Sequence, residues 1–143
     1  MTQEEKQLLL KDLCARLPYG VKVLYWHHKN GGAERRVGEL VNVDLRLNCD
    51  ELVFRTNQYY FESDSIATSK PYLRPMSSMT EEEHGQYMEF IEWSHNDYDG
   101  TTTTCINKEM LHKYLDFVYS HHLDDNDMIG RGLALESPEG MYE

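Results

Sequence analysis

Long apolar runs are missing from this chain. No stretch of its 143 residues approaches the roughly 20 apolar positions of a membrane span. The opening MTQEEKQLLL has neither the basic start nor the apolar core of a secretory signal. A soluble cytoplasmic protein with no membrane partner is therefore expected. Cysteine is sparse as well: Cys14, Cys49 and Cys105 are odd in number, far apart and without CxxC spacing, so neither a disulfide framework nor a zinc knuckle is indicated. Reduced, mostly buried thiols are the expectation. There is no GxSxG and no glycine-rich phosphate loop, so none of these motifs marks the chain as an enzyme.

Positive charge is scarce in one half only. The net charge is −11, and residues 81–143 hold 3 Lys/Arg against 15 Asp/Glu, whereas residues 1–44 hold 7 against 6. Such a field repels nucleic-acid and membrane phosphates, so no direct nucleic-acid binding is expected. An acidic surface can imitate DNA toward a basic partner, although a solvated helical face is the commoner use of such acids.

What is present is organised around residues 70–83, KPYLRPMSSMTEEE. Pro71 and Pro75 fix their own φ and push Lys70 and Arg74 toward extended geometry, so Lys70 to Pro75 is an extended strap. Thr80 then caps a helix, with Glu83 completing a capping box and Glu81 and Glu82 at the favourable end of the dipole. Before the strap, Thr2 and Glu5 form another capping box, and Leu9, Leu10, Leu13, Cys14 and Leu17 recur at helical spacing, predicting a helix from about Gln3 to Arg16 that Pro18 and Gly20 end. Its opposite face carries Glu4, Lys11 and Asp12.

Val21, Val23 and Tyr25 alternate into a strand, and Asn30-Gly31-Gly32 supplies a tight hairpin. The return runs through Val37, Val41, Val43, Leu45 and Leu47, with Gly38 allowing a bend or bulge and Asn48-Cys49-Asp50 closing it by a turn. Leu52 to Arg55 and Gln58 to Glu62 read as strands around Thr56-Asn57. After the strap, helices are predicted over 80–95 and from Asn107 to about His121, separated by a polar loop, NDYDGTTTT. A short helical turn ending at Gly132 and an extended tail follow.

The expected architecture is α+β within a single domain, 1–143. An N-terminal lid helix covers an antiparallel sheet of about four or five strands, which strand count and spacing allow to curl into a small SH3/Sm-like barrel. A helical half, 76–143, shares one core with the helix plus β half, 1–75, and Leu13, Val23, Val43, Ile91 and Leu115 are expected buried in it together.

One cluster has metal-ligand residue types: His121, His122, Asp124, Asp125 and Asp127. Adjacent histidines on a helix diverge by about 100°, and the acids miss the register of a calcium loop, so no metal and no cofactor are expected. His27-His28 straddles two faces of a strand, and His95 with Asp97 and Asp99 lacks a nucleophile in reach by sequence logic; no catalytic residue is assigned. Tyr59, Tyr60 and Phe61 are consecutive, so at least one faces outward, and with Tyr72 and Arg74 they are the candidate interaction residues.

The blocks KQLLLKDLCARLPYGV (6–21), KPYLRPMSSMTEEE (70–83), SHHLD (120–124) and RGLALESPEGMY (131–142) resemble a family of small uncharacterised proteins of gut anaerobic bacteria and of the phages and mobile elements they carry. The resemblance implies a one-domain cytosolic protein of prophage or mobile-element origin, and it carries over no catalytic residue. The resulting expectation is a non-enzymatic protein-interaction module with an unidentified protein partner. Its alternatives are an acidic nucleic-acid mimic that inhibits a basic host protein, and a small metal-dependent or hydrolase-like enzyme.

Overall fold

The computed structural model of the chain describes residues 1–46, 49–56 and 60–142, with residues 45–46 and 49–50 described through their backbone alone. Helix α1 spans Gln3–Arg16. It starts at the capping box read from the sequence, with Glu5 N donating to Thr2 Oγ1 at 3.1 Å and Thr2 N to Glu5 Oε2 at 2.7 Å. A 3-10 turn, Leu17–Tyr19, and Gly20 at φ +70° end it. The buried face differs from the expected stripe: Leu9 and Leu13 sink inward together with Asp12 and Arg16, while Cys14 is exposed and Cys105 half-buried. Asp12 leaves solvent because Arg16, one turn on, neutralises it. Arg16 Nε donates to Asp12 Oδ2 at 2.7 Å, and Nη2 reaches Oδ1 at 3.2 Å and the Leu123 carbonyl at 2.7 Å; a charge so paired tolerates burial.

Four strands follow: β1 (Lys22–Lys29), β2 (Gly32–Arg46), β3 (Cys49–Arg55) and β4 (Phe61–Ser65). The strap is β5 (Lys70–Pro75), a strand in its own right. The second half holds α2 (Glu81–Phe90), β6 (Ile91–Asn96), β7 (Thr102–Ile106), α3 (Leu111–Ser120), β8 (Leu123–Asp124) and β9 (Leu135–Glu136). Of the expected turn at 48–50, Asn48 lies outside the described residues, and Cys49 and Asp50 begin β3. Asn57, Gln58 and Tyr59 also lie outside them.

β1 and β2 pair from Lys22 opposite Glu39 to Lys29 opposite Gly32, and in the connecting turn Gly31 takes φ +87°. The bulge in β2 falls between Leu40 and Asn42 and not at Gly38. Gly38 serves close approach: a Cβ there would stand 3.0 Å from Tyr25 Cε1 and 3.1 Å from Phe54 Cβ, whose rings stack with centroids 4.1 Å apart.

Among the described residues the sheet is mixed and has seven strands, ordered β4-β3-β2-β1-β5-β8 with β9 also on β5, in place of the antiparallel sheet expected. β8 and β9 both return alongside β5 in its own direction, Arg74 opposite Leu123 and Tyr72 opposite Leu135. It does not close into a barrel. Side chains of β4 bridge to β1 where a closing ladder would run: Asp64 Oδ2 accepts the Trp26 N–H at 2.9 Å, and Tyr25 donates its hydroxyl to Glu62 Oε2 at 2.5 Å. A backbone donor held by a carboxylate is not available to a neighbouring strand.

The helix expected over 80–95 stops at Phe90. From Ile91 the chain pairs with β7, Ile91 opposite Ile106 and His95 opposite Thr103, and Asn107 N donates to the Phe90 carbonyl at 2.8 Å. The threonine run, poor in a helix, is β-branched and suits a strand. Asn107 caps a 3-10 turn, Lys108–Met110, that leads into α3. Residues 128–132 form the single turn expected there: Arg131 N donates to the Asp127 carbonyl and Gly132 N to that of Ile129, each at 3.0 Å, and Gly132 ends it at φ +75°.

Among the described residues, buried side chains make two clusters. Leu9 and Leu13 of α1 meet Val23, Tyr25, Leu40, Phe54 and Leu73 of the sheet, together with Ile66 of the 3-10 turn between β4 and β5, Met128 and Leu133. Phe90, Tyr114, Phe117, Val118 and Leu123 form the other. Val43 packs partly buried against the first and Leu115 against the second, while Ile91 is half-buried at the foot of the β6–β7 hairpin. No helix among the described residues is long and apolar enough to cross a membrane.

Candidate functional site

A cleft of about 660 Å³ opens where the end of β5, the first turn of α2, the end of α3 and the tail after β9 converge. β5 delivers Arg74. The Thr80 capping box, with Glu83 N on Thr80 Oγ1 at 3.1 Å and Thr80 N on Glu83 Oε1 at 2.9 Å, fixes Glu83 in the first turn of α2. The two meet in a fork: Arg74 Nη1 and Nη2 each donate to one Glu83 oxygen at 2.8 Å. The guanidinium also reaches the carbonyls of Ser78 at 3.1 Å and His121 at 3.3 Å. Hydrogen bonds from Arg74 hold the Glu83 carboxyl far below its ordinary range, at about 2.

α3 ends by placing two imidazoles on this cleft in different ways. His121 Nδ1 lies 2.8 Å from the Phe117 carbonyl, which can only accept, so Nδ1 carries the proton and Nε2 lies 3.8 Å from Glu83 Oε2. His122 takes φ +57°, a left-handed position that asparagine or glycine usually fills at a helix end. It is 8% exposed, and its Nδ1 is buried without a hydrogen-bond partner among the described residues. Burial first, then the charges of Arg16, Arg74, His121 and Lys22, push its pKa down to about 4, so it is neutral near pH 7.

The tail closes one side. Ser137 N donates to the Leu73 carbonyl at 2.8 Å, extending β9 along β5. The Tyr142 hydroxyl accepts from Lys22 N at 2.9 Å and donates to the Tyr72 carbonyl at 2.7 Å, and Lys22 Nζ donates to the Met141 carbonyl at 2.9 Å. Glu136 and Glu139 line the cleft and are exposed.

The residues singled out in the sequence are thus partly gathered and partly dispersed. Arg74, His121 and His122 come together. Tyr72 is half-buried, and its carbonyl anchors the tail. Tyr60 and Phe61, 67% and 57% exposed, stand at the start of β4; Tyr59 lies outside the described residues. The histidines and acids of 121–127 do not form one cluster. Asp124 is buried and accepts Met128 N at 2.8 Å and Ile129 N at 2.9 Å. Asp125 lines a different cavity, and Asp127 is exposed. Among the described residues no group of three or more His, Cys, Asp or Glu is arranged to hold a metal ion.

Sequence reasoning missed Glu83 as a partner of Arg74, and Glu136 and Tyr142 as walls of the site. The capping box did mark Glu83, but its second role depends on how β5 meets α2. Both terminal nitrogens of the cleft's guanidinium are engaged, and the hydroxyl beside His121, Ser120 Oγ, lies 3.2 Å from Nδ1, the nitrogen already committed to a carbonyl. Compared with protein-family models, curated proteins and solved structures, the chain matches none.

Proposed function

We propose that the chain is a non-enzymatic protein-interaction module whose cleft receives a cationic, Lys- or Arg-bearing segment of a partner protein. The observation that carries this reading is the Arg74–Glu83 fork. Because the arginine of the cleft is neutralised within the protein, the charge left facing an incoming chain comes from Glu136 and Glu139. The surrounding half of the chain adds to the same field, with 15 acidic against 3 basic residues over 81–143. Such a field speeds the encounter with a basic partner and repels an acidic one.

The test is a titration of a Lys/Arg-rich peptide and a Glu-rich peptide of equal length, at two salt concentrations, against the native chain and the double variant Glu136→Lys, Glu139→Lys. The basic peptide alone should bind, more weakly as salt rises, and the double reversal should abolish binding while leaving the melting temperature in place. Equal binding of both peptides, or binding untouched by the reversal, would refute the reading. Displacement of a captured basic protein by duplex DNA would instead favour the mimic of nucleic acid.

A further inference from the structure

Between α2, α3 and β7 lies a second cavity, of about 540 Å³. Met76 and Met79, from the turn after β5, line it with Tyr87 of α2, Tyr114 of α3 and Ile106 of β7. Its carboxylate is Asp125. One oxygen of that group, Oδ1, is buried and has no hydrogen-bond partner among the described residues. Arg16 is near enough to act on Asp125 by charge, but its Nε and Nη2 are bonded to Asp12 and to the Leu123 carbonyl, and its Nη1, like Asp125 Oδ1, is buried with no hydrogen-bond partner among the described residues. Burial outweighs it and raises the carboxyl above its ordinary range. A carboxylate left in this state costs free energy, which an incoming cation relieves.

The walls decide which cation. An unsubstituted ammonium brings three N–H donors that want acceptors; the Ser77 and Thr104 hydroxyls also line the cavity, but the greater part of its wall is methionine, isoleucine and tyrosine, which offer few. An alkylated ammonium brings positive charge without those demands, and its methyl groups suit apolar walls. The Tyr87 and Tyr114 ring centroids are 6.3 Å apart with planes at 47°, a corner rather than a stack. A cation at such a corner can lie within about 6 Å of both centroids, the range over which ring quadrupoles attract it. The His84 ring, 6.1 Å from that of Tyr87, belongs to the same wall. We infer that this cavity binds an alkylated ammonium group, a trimethylammonium head, with Asp125 as its counter-ion and Tyr87 and Tyr114 as its aromatic corner.

The experiment titrates the full chain with choline and with its uncharged isostere 3,3-dimethyl-1-butanol, read by calorimetry and by the methionine methyl resonances. Choline should bind roughly ten-fold more tightly than the isostere, the scale of a desolvated cation–π contact. Asp125→Asn and, separately, Tyr87→Leu should bring choline down to the level of the isostere, with melting curves checking that each variant is folded. Should Asp125→Asn fail to fold, Tyr87→Leu, at a half-buried position, decides the matter alone. A trimethyl-lysine peptide and its unmethylated twin identify the source: tighter binding of the methylated peptide than of choline assigns the group to a protein side chain, and the reverse to a free small cation. Equal binding of choline and isostere, no binding of either, or choline binding unchanged in folded Asp125→Asn overturns the inference; the last result would mean that Asp125 is satisfied by water shared with Arg16.

Discussion

Tyr142 stacks face to face on His122, ring centroids 3.7 Å apart and planes 15° apart. The contact joins the tail to the residue that follows α3 in left-handed conformation, and the tyrosine hydroxyl then bridges β1 and β5. One side chain near the end of the chain therefore ties together a helix terminus and two strands.

Tyr142→Phe keeps the stack and removes the bridge. Lys22 N–H and the Tyr72 carbonyl lose their partner at half-buried positions, so a loss of about 1–2 kcal/mol is expected in urea melts, with faster proteolysis after Leu135. A change below roughly 0.3 kcal/mol would mean that water replaces the hydroxyl without cost.

Acid should destabilise the protein in two separate windows. His122 has a folded pKa of about 4 against an ordinary 6.5, so the unfolded chain takes up its proton first, and stability falls as pH drops from about 6.5 to about 4. Glu83 has a folded pKa of about 2 against 4.5, so the stability that Arg74 lends it is present above 4.5 and is lost as pH falls toward about 2. His122→Asn, which suits φ +57°, should remove the upper window alone, and Glu83→Gln the lower one alone. Stability measured by denaturant at each pH checks both; an upper window that persists in His122→Asn would assign it to another group.

Thr80→Ala should cost about 1 kcal/mol, because the hydroxyl accepts Glu83 N at 3.1 Å and the reciprocal bond loses its setting. The same substitution should lower affinity for the basic peptide, since Glu83 is held for Arg74 by that cap. Unchanged stability in urea would show that water caps α2 as well as threonine does.

Gly38→Ala should destabilise by roughly 1–3 kcal/mol, as overpacking does, because the new methyl group meets the Tyr25 ring and Phe54 Cβ at 3.0–3.1 Å. A neutral result in thermal melts would require the stacked rings to move aside freely.

The sequence by itself determined the elements that need only a few neighbouring residues. Both capping boxes, Thr2 with Glu5 and Thr80 with Glu83, lie within one helical turn, and the bounds of α1 follow from them together with Pro18 and Gly20. The first hairpin is equally local, since Asn30-Gly31 sits between two alternating strands. The extended form of Lys70 to Pro75 follows from two prolines. Tertiary structure decided what depends on where the chain returns. Ile91 to His95 continues a helical stripe on paper, but the threonines of β7, brought back by the turn at Gly100, offer that segment a ladder, and hydrogen bonds to a partner strand override a weak local preference. Asp12 reads as a surface acid until Arg16 and the Leu123 carbonyl are seen to enclose it. His121 and Asp125 are four residues apart, yet the left-handed turn at His122 sends them to different cavities, because a single positive φ redirects the chain where a helix would have kept one face. The site itself, Arg74 on Glu83 with Tyr142 on His122, joins residues of β5, α2, the turn after α3 and the tail, and no local rule of sequence brings those four together.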